Sequence, residues 1–388
     1  MRCPTLDGAS ALLPSIDVDR SLSDMTVASD FMGHELSTEE KRVLKREKRM
    51  MRITRATGPL TAIGLGWSVP LMKMAAGDDR RSNMKILWKG FVVPILGILG
   101  FLAVWAALAP TVQTSLGTVP GPAQVADQVG SLYADWERTQ EAKAAFYERQ
   151  EARNQQMIEA GYADRVQIRA YTGAPTYQQQ IMTSLQTVFL GFLLATIIAV
   201  PVGIACGLSS TINGALNPLI QIFKPVSPLA WLPIVTMIVS ALYVNASDAL
   251  PKSMVVSAIT VTLCSLWPTL INTSLGVASI DKDLVNVGKV LQLSTAKTIT
   301  KLVLPSAMPL IFTGLRLSLG VGWMVLIAAE MLAQNPGLGK FVWDEFQNGS
   351  SDSLARIIVA VITIGIVGFI LDRIMAALQS AFTFSGTR

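Results

Sequence analysis

The chain has 388 residues, of which 51% are hydrophobic and only 15% are charged. Ordinary soluble domains carry about 25% charged residues, so the composition predicts an integral membrane protein and excludes a soluble globular one. The net charge is +5. Because the positive excess is local to the N-terminal part, it does not indicate nucleic acid binding.

The chain is poor in residues that hold metals or transfer protons. His34 is the only histidine, which removes His-based metal sites and most acid–base machinery. Cys3, Cys206 and Cys264 form no close pair, so neither a disulfide nor a metal site is predicted. No stretch fits GxxxxGK[ST], so this chain does not bind ATP through a P-loop. We expect no catalytic residue, no metal and no cofactor on this chain.

The first 57 residues or so are polar and end in KRVLKREKRMMRITR, where eight of fifteen positions are Lys or Arg. The positive-inside rule places such a block in the cytoplasm. It is either a solvated tail that sets the topology or a surface that touches anionic headgroups. Since no apolar h-region follows a basic start, we expect no cleaved signal peptide.

Gly58–Gly77 is apolar but carries two prolines, four glycines and Lys73, which makes it a weak candidate for a span. If it crossed the membrane, every later segment would be inverted. We therefore predict that it is interfacial or loosely packed.

Six clearly apolar segments follow, and they predict an all-α bundle with both termini in the cytoplasm. A long external loop, Thr111 to about Gln180, separates the first two, and it holds a polar helical stretch at Gln128–Glu159. The six predicted spans are Lys89–Pro110, Leu185–Leu208, Leu216–Val244, Ser253–Val277, Leu310–Leu332 and Ile357–Leu378.

The third span is interrupted. Lys224-Pro225 and the run Pro228-Leu-Ala-Trp231-Leu-Pro233 place three prolines in nine positions, which predicts a kinked or broken helix. Irregular backbone at membrane depth is tolerated only where it is buried in protein or faces a watery cavity.

The longest polar helical run between apolar segments in the second half of the chain is Leu284–Pro309, and the predicted topology places it in the cytoplasm. Its mixed polar and apolar residues suit one or two short helices with an apolar side available to a partner. We expect Leu304-Pro305 to end the run. The alternative is an interfacial connecting helix with no partner.

Ionisable and aromatic residues inside the spans are the candidates for transport chemistry. Arg316 is either a snorkelling anchor or a guanidinium that meets a planar oxyanion in a cavity. It points away from the small-residue face Gly314, Ser318 and Gly322. Glu330 is either a structural partner of another helix or a gating group.

Tryptophans at three positions lie within spans, and the helix of Trp267 also carries Thr269 and Asn272; the other two are Trp231 and Trp323. Each tryptophan is either packing or a ligand contact, and a buried indole N–H needs a partner.

The arrangement of span, polar helix, Leu-Pro and span resembles the permease subunits of binding-protein-dependent ABC importers, whose cytoplasmic loop has the form EAA-x3-G-x9-I-x-LP. Aligning the LP with Leu304-Pro305 places the EAA at Asn286-Val287-Gly288, the glycine at Gln292 and the isoleucine at Leu302. The chain keeps the LP and the amphipathic frame and departs at most other named positions.

The flanking sequence is more specific. PVSPLAWLP (225–233), LPSAMPLIFTGLRLSLGVGW (304–323) and AAEML (328–332) resemble the subgroup that transports nitrate, sulfonates, taurine, bicarbonate or cyanate. VLQLS (290–294) and GKFVWDEFQNGSS (339–351) are most similar to nitrate/nitrite permeases. The resemblance covers residues 87–385.

The resemblance implies a six-span type I ABC importer permease fold in a bacterial inner membrane. It divides the chain into a basic extension (1–86), a first span with its external loop (87–181) and the core permease (182–385). The implied partners are a second permease subunit in a homodimer, two cytoplasmic ATPases that hydrolyse ATP, a periplasmic binding protein and the lipid bilayer.

The resemblance also implies roles for individual residues. The substrate pathway is expected around Trp231, Trp267, Thr269, Asn272, Arg316, Trp323 and Glu330. ATPase coupling is expected at Asn286, Val287, Gly288, Gln292, Leu293, Ser294, Leu304 and Pro305. Docking of the binding protein is expected at Asn335, Pro336, Gly337, Leu338 and Gly339.

Nitrate or nitrite is the first expected substrate, with bicarbonate, cyanate or sulfonates as alternatives. A stand-alone secondary anion transporter is an alternative of another class, but such proteins often show inverted repeats, and we find no internal repeat. A membrane-embedded enzyme lacks any catalytic constellation in this sequence.

Overall fold

The computed structural model describes residues 48–54, 57, 66–114, 117–162, 166–244, 250–350 and 352–383. Most of the basic N-terminal block and part of Gly58–Gly77 lie outside these residues. From residue 66 onward, the α-helices are α1 (Ser68–Ala75), α2 (Arg80–Leu87), α3 (Val93–Leu108), α4 (Pro122–Glu159), α5 (Tyr177–Leu208), α6 (Ser210–Phe223), α7 (Pro228–Leu242), α8 (Lys252–Ala278), α9 (Lys282–Val290), α10 (Thr295–Thr298), α11 (Leu304–Ala333), α12 (Leu338–Asn348) and α13 (Ser353–Thr383). Two π-helical turns, Trp88–Val92 and Ile299–Val303, precede α3 and α11. A two-stranded antiparallel hairpin, β1 (Gln113–Thr114) and β2 (Gly117–Thr118), precedes α4.

Within the described residues, five helical stretches are long and apolar enough to cross a membrane. They are Arg80–Thr111, Tyr177–Leu208, Lys252–Ala278, Thr295–Ala333 and Ser353–Phe382. The pair α6 and α7 passes the same test only when it is counted as one span, and it is bent by 102°. The predicted break in the third span is confirmed.

Local chemistry explains this bend. The helix α6 stops before Pro225, whose ring cannot continue the preceding hydrogen bonds. Ser227 then begins α7 as an N-cap, because its side chain accepts a bond from the backbone N–H of Leu229 at 3.3 Å, with Pro228 at the first helical position. Proline favours that position, where no intrahelical donor is needed.

The helices α5 and α8 run in parallel and in close contact. Gly191 lies against Ala258 and Val261, whereas Gly203, further along α5, lies against Leu270 and Thr273. The residue numbers of α5 and of α8 therefore increase in the same direction along the contact, so the two helices are parallel. The chain between them must therefore return across the membrane, which makes the bent pair α6–α7 one crossing and gives six.

The helix α11 is antiparallel to α8 and to α13. Gly314 lies against Thr269 on α8, and Gly276 lies against Ala307. On its other side Trp323 donates its indole N–H to Ile364 O at 3.0 Å. The small-residue face predicted on α11 is confirmed as the seam with α8.

These directions define two sides of the bundle. The N-terminal ends of α5, α8 and α13 and the C-terminal end of α11 share one side with α4 and α12, which we name the outer-loop side. The segment from α9 to α10 (282–298), which we name the coupling segment, lies between α8 and α11 on the opposite side of the bundle. We name that side the coupling side.

The first span lies at the edge of the bundle. None of its apolar window is buried within the chain. Near its end, Trp105 donates its indole N–H to Pro120 O at 3.2 Å, just before α4. Its N-terminal end therefore lies on the coupling side.

Candidate coupling segment and transport pathway

The coupling segment begins with α9 and turns sharply at Gln292. This residue has φ +50°, a left-handed conformation that glycine adopts more readily than any residue with a Cβ atom. The N–H of Leu293 donates to Gly288 O at 3.1 Å, which closes a Schellman-type turn. Gln292 occupies the position of the glycine in the EAA loop. Its backbone has the left-handed conformation that favours glycine, although the residue is a glutamine.

Gly288 packs against the helical turn that leads from α10 into α11. It is buried, and a Cβ atom placed on it would come within 2.9 Å of Leu302 Cδ1. The second small residue of the EAA loop and the residue at its isoleucine position are therefore in contact. This contact folds α9 back on the chain that leads into α11.

The exposed face of the coupling segment carries both apolar and polar side chains. Asn286, Gln292 and Ser294 are exposed, and Leu293 is half-buried. Val287, Val290 and Leu291 expose 51%, 81% and 63% of their surfaces. Exposed apolar residues in a group, bordered by polar ones, are typical of a protein interaction site.

The expectation that Leu304-Pro305 ends the helical run is wrong. The helix continues from Thr295 to Ala333 as one apolar stretch. A π-helical turn at Ile299–Val303 precedes Pro305, and such a wider turn accommodates the proline ring without a break. The coupling segment is thus joined rigidly to α11.

The structure brings two of the predicted pathway tryptophans together at the α6–α7 bend. Phe223 lies between them, with its ring centroid 5.7 Å from that of Trp231 and 6.5 Å from that of Trp267. Within the described part of the chain, neither indole N–H has a hydrogen-bond partner. Two unpaired donors therefore lie at the interrupted span.

Thr269 and Asn272 serve the helix contacts of α8. The backbone N–H of Thr269 donates to Ser318 Oγ at 3.0 Å, and its hydroxyl donates to the same atom at 2.7 Å. Asn272 donates to Pro268 O at 2.8 Å on its own helix. Thr269 is buried in the α8–α11 seam and does not line an open space.

Arg316 points away from that seam, as predicted, and forms a bidentate ion pair with Asp372 on α13. Its Nε donates to Oδ1, and its Nη2 donates to Oδ2 at 2.8 Å. Arg373 also donates to Asp372. The pair borders a cavity of about 220 Å³ that Trp323 also lines. The guanidinium is already engaged with a carboxylate, and sequence reasoning did not identify that partner.

Glu330 is fully buried and anchors the outer loop. Ser184 on α5 donates its hydroxyl to the carboxylate at 2.8 Å, and the backbone N–H of Gly339 donates at 3.0 Å. The N–H of Leu338 donates to Ser184 Oγ at 2.9 Å. Of the two roles considered for Glu330, the geometry is that of a structural partner of another helix.

The segment 335–339, expected to contribute to docking of a binding protein, is mostly enclosed within the chain. Asn335, Gly337, Leu338 and Gly339 are buried, and only Pro336 is partly exposed. Asn335 donates to Thr187 Oγ1 at 3.2 Å. These residues fix the position of α12, whose outward face is what remains accessible.

A second buried carboxylate joins α12 to α4 on the outer-loop side through Arg356. Glu345 accepts from Ser353 at 2.8 Å and from Arg356 at 3.4 Å. Arg356 also donates to Ser131 and Asp135 on α4, each at 3.2 Å. Sequence reasoning missed this network, since its members lie far apart in the chain and in segments expected to be a loop or a loop edge.

Six membrane crossings, an amphipathic segment on one side and a helical cap on the other define an integral membrane protein of the permease class. The chain belongs to the family described as the binding-protein-dependent transport system inner membrane component, whose match covers residues 199–383. It is a transport subunit, not an enzyme.

Proteins that transport several different substrates are similar to this chain. The bicarbonate transport system permease protein CmpB of Synechococcus elongatus is 36% identical over 291 residues, which are 75% of this chain and 88% of that protein. The nitrate import permease protein NrtB of the same organism is 39% identical over 197 residues, 51% and 67% of the two chains. The taurine transport system permease protein TauC of Escherichia coli is 32% identical over 208 residues, 54% and 70%.

Proposed function

We propose that this chain is the permease subunit of an ATP-driven importer of a small inorganic oxyanion, nitrate or nitrite in the first place. The observation that carries the proposal is the coupling segment. It lies on the side opposite α4 and α12 and exposes apolar residues, and its second helix, α10, continues without a break into α11. Such an element suits docking to a separate ATPase and conversion of its motion into a motion of the bundle.

The proposed assembly has two copies of this chain, two cytoplasmic ATPases and an external binding protein. Membership of the binding-protein-dependent transport family supports the ATPase and binding-protein partners. On this proposal the N- and C-termini are cytoplasmic. The ATPases bind the coupling segment and the binding protein binds the outer-loop side.

The pathway is proposed to pass the α6–α7 bend. Trp231 and Trp267 there offer indole N–H donors that are unpaired within the described residues. Neutral donors can replace part of the hydration shell of a monoanion without the strong binding of a fixed charge. Arg316 is less available to the anion, because its guanidinium is paired with Asp372, which Arg373 also contacts.

Bicarbonate is the second candidate substrate. It shares the single charge and planar trigonal shape of nitrate, and the similarity to the bicarbonate permease extends over 88% of that protein. Cyanate and sulfonates remain further candidates within the subgroup.

The proposal is tested by uptake into proteoliposomes that contain the permease alone or the complete complex with its ATPases and binding protein. We expect labelled nitrate to enter only with the complete complex and ATP. Uptake by the permease alone would instead identify a secondary transporter. Competition that is stronger with bicarbonate than with unlabelled nitrate would assign bicarbonate as the substrate.

A further inference from the structure

The first turn of α12 is held by two buried side chains from two different spans. Glu330 of α11 accepts from the N–H of Gly339, and Ser184 of α5 accepts from the N–H of Leu338 while donating its own hydroxyl to Glu330. Backbone N–H groups at a helix start lack intrahelical acceptors and carry the positive end of the helix dipole. The carboxylate therefore joins the first turn of α12 to α11.

The start of α12 is tightly packed against α11. A Cβ atom on Gly337 would overlap the Glu330 carboxylate, and one on Gly339 would overlap the backbone of Ile327. Glu330 is 0% exposed. A buried carboxylate is costly unless its donors stay in place, so α12 cannot move away from α11 without a large penalty.

The same helix that carries Glu330 ends in the coupling segment. The stretch from Thr295 to Ala333 is 39 residues of continuous helix, about 58 Å long at the helical rise. Glu330 lies three residues from one end, and the turn at Gln292 lies just beyond the other. The outer-loop side at α12 and the coupling side are thus connected by one continuous helix.

The outward face of α12 is suited to a soluble protein. Phe346 is 61% exposed, and its ring lies 5.9 Å from that of Trp343. Aromatic residues that are exposed beside polar ones are favoured at the centres of protein interfaces. Lys340 and Asp344 pair at 2.7 Å on the same helix and supply a polar border.

We propose that Glu330 is a positioning residue that transmits docking of the external binding protein on α12 to the ATPase side through α11. The inference rests on the proposed importer function, and it goes further by assigning the transmission to one carboxylate. Glu330 holds the helix start while the substrate passes elsewhere.

The test is the ATPase activity of the complete complex in proteoliposomes, with and without the binding protein loaded with nitrate or with bicarbonate. The readout is the ratio of stimulated to unstimulated activity. Glu330→Gln keeps the shape of the side chain but removes the charge and one acceptor. We expect this ratio to fall by roughly fivefold or more, the size of a modest coupling free energy, in a complex that still co-purifies with its ATPases.

Glu345→Gln is the matched control. It alters another buried carboxylate, which joins α12 to α13, and through Arg356 to α4, rather than to α11, and we expect the wild-type ratio. Ser184→Ala weakens the same joint without touching the carboxylate and should give an intermediate ratio. If Glu330→Gln fails to assemble, the ratio measured for Ser184→Ala decides whether the inference holds.

The outcomes separate the two proposals. A wild-type complex that no loaded binding protein stimulates would overturn the importer function and this inference with it. Normal stimulation of the wild type together with an unchanged ratio in Glu330→Gln, or in Ser184→Ala where that variant decides, would overturn the inference alone. Equal losses in Glu330→Gln and Glu345→Gln would also overturn it, because general loosening of α12 would then be the cause.

Discussion

Gln292 holds a backbone conformation that its own side chain disfavours. Its φ is +50°, and a residue with a Cβ atom pays about 1–2 kcal/mol for the left-handed region. The turn forms nevertheless, because the Schellman bond and the contact of Gly288 with Leu302 require it.

Gln292→Gly should stabilise the turn by about 0.5–1 kcal/mol, since the strain is relieved at a smaller cost in chain entropy. Hydrogen exchange measured by mass spectrometry should show slower exchange over residues 282–298. The control is Gln140→Gly in the interior of α4, where the same change should cost about 1 kcal/mol and speed exchange. Faster exchange at the coupling turn in Gln292→Gly would contradict the strained conformation.

Arg316 and Glu330 show how a span tolerates an ionisable group. Both were candidates for the pathway, and each is engaged by groups on another element: Arg316 by Asp372 on α13 and Glu330 by Ser184 on α5. Charges within the membrane are costly unless paired. For both residues the structural partner accounts for the side chain in this conformation.

At the scale of elements, small residues determine which helices approach closely. The α5–α8 seam consists of glycines on α5 that meet the backbone of α8. Gly203 lies where a Cβ atom would come within 2.7 Å of Thr273 Cβ and 2.8 Å of Leu270 O. Without a hydrophobic drive between helices in lipid, this close packing supplies much of the association energy.

Gly203→Ala should destabilise the permease by about 1–3 kcal/mol, because the added methyl group must push α5 and α8 apart. The measurement is the midpoint of thermal denaturation in detergent. Gly365→Ala on α13 is the matched control, since no atom lies within 4 Å of the added Cβ there. A Gly203→Ala midpoint equal to or above that of the control would show that the seam is not close-packed.

At the scale of the whole molecule, helix direction determines sidedness. Because α5 and α8 are parallel, the bent pair between them crosses the membrane once, although neither of its halves is long enough alone. The coupling segment and the external helix α4 therefore lie on opposite sides. In the proposed importer, the ATPases bind on one of these sides and the binding protein binds on the other.

Labelling of single cysteines tests the sidedness directly. In a variant with Cys3, Cys206 and Cys264 replaced by Ala, a membrane-impermeant maleimide should label Glu148→Cys on α4 in intact spheroplasts. Lys297→Cys in the coupling segment should react only after the membrane is opened. Labelling of Lys297→Cys from outside would invert the topology and remove the coupling role.

The sequence by itself determined the class of the protein, the number of crossings, the break in the third span and the existence of the coupling segment. These features depend on local properties: runs of apolar residues, prolines at fixed positions and the distribution of charge. They also determined the small-residue face of α11, because helical periodicity is visible over a few turns. The rule that proline ends a helix failed at Pro305, because the π-helical turn before it accommodates the proline ring.

Only the tertiary structure decided which polar groups meet. Ser184 and Glu330 are separated by 146 residues, Arg316 and Asp372 by 56, and Asp135 and Arg356 by 221. No local periodicity encodes such pairings, since they depend on which helices are neighbours and in which register they pack. For the same reason the 335–339 segment reads as an exposed loop in the sequence, although its side chains are enclosed by α5, α8 and α11 in the folded protein.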